Sequence, residues 1–400
     1  MIEVAPRVQA SFASGVCNLL NSIIGAGVLS LPFVFKECGL LVGLLSQVLF
    51  AVMTLNGFRY LLESLPHATE LTVPSYEGLA MCAMGRSGWY AYNVAAFVQC
   101  YGACVGYIVV VGDILPGLLS IGDLNWRSER TLTLALVTTF IILPLASLPD
   151  FSALQYASGS AICIYLAFTA TLVALYLSEH LPLEPAAALF KPDPGAFFRS
   201  APICAFAFQA VTSLFPILQE LRQPTVERML TLSATSLAIA CAIYGATGWA
   251  AYGFFGEELL GDVLLNLADV DGQGIKYLRL LFGFSVCLTY PTMHFAARRS
   301  LDQLLFNSSE GNAPYPRLLA ETVGIVGSTL LLGLYAQQVE TVLAWTGAIG
   351  STTVLYVLPP CIYLQLSPLS WSQNAGTVMF LALGLAFGIL GCMNLLSHGS

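Results

Sequence analysis

The sequence predicts an all-α polytopic membrane protein of about 11 transmembrane helices, and three observations carry that expectation. Only 10% of the residues are charged while 57% are hydrophobic, with mean hydropathy +0.77; a soluble domain carries roughly a quarter charged residues. Apolar stretches of about 20 residues recur along the chain, long enough at 1.5 Å per residue to cross a hydrocarbon core of about 30 Å. Turn signals separate these stretches and leave nothing for a soluble domain, so residues 1–400 read as one transmembrane domain. The formal net charge of −8 comes largely from acidic loops. No basic run suggests nucleic acid; the surroundings implied are a lipid bilayer.

Taken in order, the spans cover approximately residues 12–35, 39–62, 89–119, 131–149, 154–178, 200–221, 230–255, 277–301, 317–336, 339–364 and 375–396. Arg7 alone precedes the first of them, with no small-residue cleavage pattern, so this segment reads as a retained helix and not a signal peptide. Most of the 11 cysteines lie inside apolar runs and read as small hydrophobes. Cys100 and Cys104 share a helix face without a nearby His, which gives no metal site.

The first span contains Asn21-Ser22-Ile23-Ile24-Gly25-Ala26-Gly27-Val28-Leu29-Ser30-Leu31-Pro32. Two glycines one residue apart, with Asn21 and Ser22 before them and Pro32 after, weaken the helix at bilayer depth. Unpaired backbone there is tolerable only where it faces a protein cavity. A break of this kind frees amides and carbonyls that can hold a substrate or an ion, as in secondary transporters with interrupted helices. The alternative is that Gly25 and Gly27 let another helix pack closely.

In the third span Asp113 precedes Pro116 and Gly117, which favours the end of a helix and a cap or packing role. The sixth span clusters Gln209, Thr212 and Ser213 ahead of Pro216, suggesting a second interruption near residues 209–213. It lies nearly half a chain from the first. That spacing fits a 5+5 inverted repeat plus one helix, with helices 1 and 6 broken: approximately 12–178, then 200–364, then an accessory helix at 375–396. Along the eighth span Ser285, Thr289 and Thr292 recur at helical spacing as one hydroxyl stripe, which either serves a site or bonds the preceding backbone turn. The tenth carries Gly347-Ala348-Ile349-Gly350-Ser351-Thr352-Thr353, small residues suited to close helix approach.

Residues 21–32 resemble the first membrane helix of the amino acid/auxin permease superfamily, in particular its sodium-coupled neutral amino acid transporters: Asn, a small polar residue, Ile-Ile-Gly, a small residue, Gly, then Leu-Pro. Phe215-Pro216-Ile217, Glu220-Leu221, Thr225, Arg228 and Met229 extend the resemblance, as do Leu358-Pro359 and Tyr363-Leu364. One departure is Ala210-Val211, where many members have Cys-His or another His. The resemblance implies a secondary active transporter of small neutral amino acids and no enzyme. It places sodium, the coupling ion, at Asn21 and Thr289, with Ser285 or Thr292 assisting. A substrate carboxylate suits the amides of Ile24, Gly25, Ala26, Gly27 and Val28, and its ammonium the backbone around Gln209, Ala210 and Thr212. Glu220 is expected to cap or to pair with Arg222 or Arg228, and His294 has no assigned proton role.

Eight basic residues fall on the side of the N-terminus and seven on the other, which does not orient the chain. The Arg298-Arg299 pair and the resemblance favour the N-terminus inside, leaving the sequon Asn307-Ser308-Ser309 in the cytosol and unused. Two rivals stand beside sodium symport at the plasma membrane. One is a proton-coupled transporter or exchanger of a vacuolar, lysosomal or other internal membrane; the other is a non-transporting amino acid sensor.

Overall fold

In the computed structural model, which describes residues 10–69, 71, 73–116, 126–148, 155–178, 189–191, 193–307, 314–336, 338–367 and 374–398, the predicted spans are helices. Among these residues ten helices are long and apolar enough to cross a membrane, and a bent pair makes an eleventh. Arg7, Gly117, Ser308 and Ser309 lie outside the described residues. The protein is an integral, multi-pass, all-α membrane protein.

The bent pair is the first span. Helix α1 (Phe12–Ile23) starts at Ser11, whose side chain accepts from the Ser14 amide, and α2 (Gly27–Cys38) leaves it at 62°. Pro32 lies inside α2 without ending it; the stop comes at Gly39, whose φ of 85° strains any residue with a Cβ. Helix α3 (Leu40–Ser64) follows. Helix α4 (Tyr76–Ile114) begins well before the expected third span, because Ser75 caps it and Gly85, at φ 63°, turns its first segment away from the rest.

Next come α5 (Trp126–Ala146) and α6 (Gln155–Ser178). The sixth span divides into α7 (Pro194–Ala207) and α8 (Val211–Glu220). The remaining helices are α9 (Val226–Phe255), α10 (Gln273–Phe306), α11 (Tyr315–Tyr335), α12 (Val339–Leu366) and α13 (Ala375–His398). In α12 the small residues do what close approach requires: a Cβ on Gly347 would run into the Pro202 carbonyl, and one on Gly350 would meet the Gln99 backbone at 2.7 Å.

Burial ranks the spans. In the sixth, 83% of the apolar window is inside the protein, against 17% for α13, so α7 and α8 form the axis and α13 the lipid-facing rim. Leu45, Val48 and Phe140 point outward likewise. Counting crossings from the N-terminus puts the ends of α3, α8 and α10 on the N-terminal side, and the ends of α2, α4 and α9 opposite. Strand-like pairing ties the start of the chain to this first side: the Ala10 amide donates to the Glu220 carbonyl at 2.8 Å and the Arg222 amide to the Ala10 carbonyl at 3.0 Å.

Candidate functional site

A cavity of about 870 Å³ opens at the N-terminal side and reaches the first break. Its mouth is lined by Pro74 to Glu77, by Gln219 and Glu220, and by Arg299 and Ser300; the floor by Asn21, Ser22, Gly25, Thr212, Thr289 and Thr292. At the mouth Arg299 donates to the Glu77 carboxylate. Glu220 lines the mouth as well but makes no ion pair among the described residues, because Arg228 instead donates to Gln223 at 3.0 Å.

The opposite end is shut. Asp113, in the last turn of α4, pairs with Arg130 at 3.4 Å, and Lys36 donates to the Leu259 carbonyl at 2.9 Å. A Cβ on Gly261 would run into the Glu340 carboxylate, so this loop rests directly on the start of α12. Beside it Asp262 is 2% exposed, and burial, reinforced by the nearby Asp113 charge, pushes its carboxyl up to about 8.

The backbone between α1 and α2 offers free donors. Ile24 still donates to Leu20, and helical bonding resumes with Val28 to Gly25 and Leu29 to Ala26. Among the described residues the intervening amides of Gly25, Ala26 and Gly27 have no backbone acceptor. Three consecutive amides at the N-terminus of a twelve-residue helix suit an anion. Only Gly25 of the five residues from Ile24 to Val28 lines the cavity; the other four are buried behind it. Gly27 serves packing, since a Cβ there would lie 2.9 Å from the Ala207 Cα.

The second break spans Phe208 to Ala210, slightly earlier than the sequence suggested, and the carbonyls of Phe208 and Gln209 accept no backbone amide among the described residues. Thr212 and Ser213 face the cavity. Gln209 and Ala210 do not, and the buried Gln209 side chain donates to Gln99 at 3.0 Å. Ser22 and Ser213 share a hydrogen bond of 2.8 Å that joins the last turn of α1 to the first of α8.

Of the hydroxyl stripe, Thr289 and Thr292 line the cavity with Asn21, while Ser285 is buried beneath them. Thr289 donates to the Ser285 carbonyl at 2.8 Å and Thr292 to the Thr289 carbonyl. Both protons are thus spent on the helix, and the oxygen lone pairs stay available to a cation. His294 is fully buried, stacked on Tyr290 and away from the cavity.

Sequence reasoning overlooked three buried tyrosines around the breaks. The Tyr107 hydroxyl lies 3.2 Å from where a Cβ on Gly25 would be. Tyr165 of α6 turns its hydroxyl toward Ser285 and Thr289. The Tyr244 hydroxyl reaches the Ile23 carbonyl at 2.8 Å and the Ala207 carbonyl at 3.1 Å. The available signal was the residue type itself, because a phenol inside an apolar span needs a hydrogen-bond partner.

Comparison with known proteins identifies the family. A family model described as transmembrane amino acid transporter protein matches residues 8–398. Solute carrier family 38 member 10 of Mus musculus is 28% identical over 92% of the chain, which spans only 34% of that protein's length. Vacuolar amino acid transporter 6 of Saccharomyces cerevisiae is 25% identical, with 88% of the chain and 89% of the relative covered. Amino acid transporter AVT6D of Arabidopsis thaliana is 25% identical over 89% of the chain and 86% of its own length. The chain therefore belongs to the transmembrane amino acid transporter protein family, in the amino acid/auxin permease superfamily that its first helix resembles.

Proposed function

We propose that the chain moves small neutral L-amino acids across a membrane by sodium symport, with two inverted five-helix repeats alternating access to one central site. The observation that carries this reading is a single cavity bringing Asn21, Gly25, Thr212 and Thr289 together from three separate spans. The free amides of Gly25 to Gly27 suit the substrate carboxylate. The untaken carbonyls of Phe208 and Gln209 suit its ammonium group, as half-helix ends do in secondary transporters. A floor of Asn21, Ser22, Gly25, Thr212, Thr289 and Thr292, with no carboxylate or basic group among them to pair with a charged substrate side chain, favours neutral cargo.

Sodium would be held by the oxygens of Asn21, Thr289 and Thr292, with Ser285 and backbone carbonyls behind them. Neutral oxygens suit a hard monovalent cation without burying a permanent countercharge. With the N-terminus in the cytosol the cavity faces inward, and the sealed end around Asp113 and Glu340 faces outside or a lumen. The vacuolar relative supports a second reading, proton-coupled transport or exchange across an internal membrane. A non-transporting sensor has less support, since the cavity is open to one side and closed to the other as a transport cycle requires.

Uptake of labelled neutral amino acids into proteoliposomes, with sodium or proton gradients imposed separately, decides between them. Uptake that follows sodium and disappears in choline is the expected result. Equal uptake in choline and sodium that follows a proton gradient replaces sodium by proton coupling, and substrate binding without uptake under either gradient leaves the sensor.

A further inference from the structure

The two interrupted spans share one point. Helix α1 ends at Ile23 and α7 at Ala207, and the terminal carbonyls of both converge on the Tyr244 hydroxyl, at 2.8 Å and 3.1 Å. Each half-helix end carries roughly half a negative elementary charge, and Tyr244 is 0% exposed, so no bulk water offsets them. Convergent carbonyls at broken helix ends are where secondary transporters coordinate coupling ions. A phenol has one proton for these two acceptors, and further carbonyl lone pairs remain.

We propose that the Tyr244 hydroxyl stands in for a cation at this junction. It keeps the point free of ions and positions the two half-helices relative to each other. The coupling ion therefore binds elsewhere in the molecule, whether it is sodium or a proton, and this assignment does not depend on which of them drives transport. The surroundings match the role. The Tyr244 ring is held edge-on against Phe208, inside the second break, with centroids 5.3 Å apart, and Gly27 lets α2 lie directly on Ala207. Removing the hydroxyl leaves the ring in place and exposes two carbonyls to each other, a pocket that attracts a small cation.

The test is Tyr244→Phe, made in a Thr289→Ala background so that the proposed sodium site in the cavity is weakened, with the Thr289→Ala parent measured in the same salts to show what that site still contributes. Purified full-length protein is melted in choline, sodium and potassium chloride at one ionic strength. The Phe variant is expected to lose thermal stability in choline and regain it in sodium, while the parent shows no such difference. Equal loss in all three salts makes Tyr244 an ordinary buried hydrogen-bond donor and overturns the proposal. So does unchanged stability in choline, or failure to recover folded protein in sodium. Glycine uptake by Tyr244→Phe alone supplies a second reading: a sodium concentration dependence that differs from wild type supports the new ion site, and an unaltered one counts against it.

Discussion

The two breaks interrupt their spans in different ways. The first bends the chain by 62°, whereas α7 and α8 run on as one span of membrane length, although among the described residues each break leaves three amides without a backbone acceptor, Gly25 to Gly27 in one and Ala210 to Thr212 in the other. Composition explains the contrast. Gly25 and Gly27 remove side chains where the chain turns, while Phe208-Gln209-Ala210 has neither glycine nor proline and must be held open by its neighbours. The Gln99 amide and the Tyr244 hydroxyl do this from outside the segment. A glycine break thus turns the chain by its own composition, and a propped break is held by side chains from other helices.

Within the first break the two glycines should separate. Gly25→Val fills the cavity beside Tyr107 and is expected to abolish uptake with expression and melting temperature retained. Gly27→Val drives its side chain into the Ala207 backbone, which cannot move aside, and should cost about 1–3 kcal/mol of stability. Uptake assays paired with melting curves check both; equal stability of the two variants would remove the packing role given to Gly27.

Thr289→Ala tests the floor. One lost ligand, taken as an unmade buried hydrogen bond of about 1–3 kcal/mol, raises the sodium concentration for half-maximal uptake roughly ten- to a hundredfold. Excess sodium should restore the rate, and Thr289→Ser should be milder. A Thr289→Ala variant with unchanged sodium dependence reduces this hydroxyl to a backbone-bonding group.

How much of this was legible in the sequence depended on range. Hydropathy located the spans, and Gly25 and Gly27 marked the first break because backbone freedom is a local property. The partners of those glycines were not legible: the contact of Gly27 with Ala207 and the bond from Tyr244 to Ile23 join residues about 180 and 221 positions apart. Gly85 was a local signal passed over, and it accounts for the early start of α4. The second break was placed a few residues late because its polar cluster faces the cavity from the start of α8, after the interruption itself.

The bridge between the breaks is open to a double-mutant cycle. Ser22→Ala and Ser213→Ala each remove one end of the 2.8 Å hydrogen bond. A coupling of about 0.5–1.5 kcal/mol in melting free energy is expected if the bond links α1 to α8. Strict additivity would mean that the two hydroxyls act separately.

The smallest effect concerns the sealed end. Asp262 is pushed up to about 8 by burial, with Asp113 and Glu340 adding to it and Arg279 opposing. A raised carboxyl favours the folded protein while neutral, so its contribution is complete below the unfolded value of about 3.9 and is lost as pH rises toward 8. Melting temperature should fall over that window, and Asp262→Asn should flatten the fall. An identical pH profile for both proteins would contradict this assignment.

The central claim is that substrate occupies the cavity between the two breaks. Thr212→Cys in a Cys100→Ala background places a thiol on the floor, and labelling at position 212 by a reagent added from the N-terminal side can be followed by peptide mass. A transported neutral amino acid is expected to slow that labelling in proportion to its occupancy, while an amino acid that is not transported leaves it unchanged. Labelling that proceeds at one rate whatever transported amino acid is present would place the substrate somewhere else.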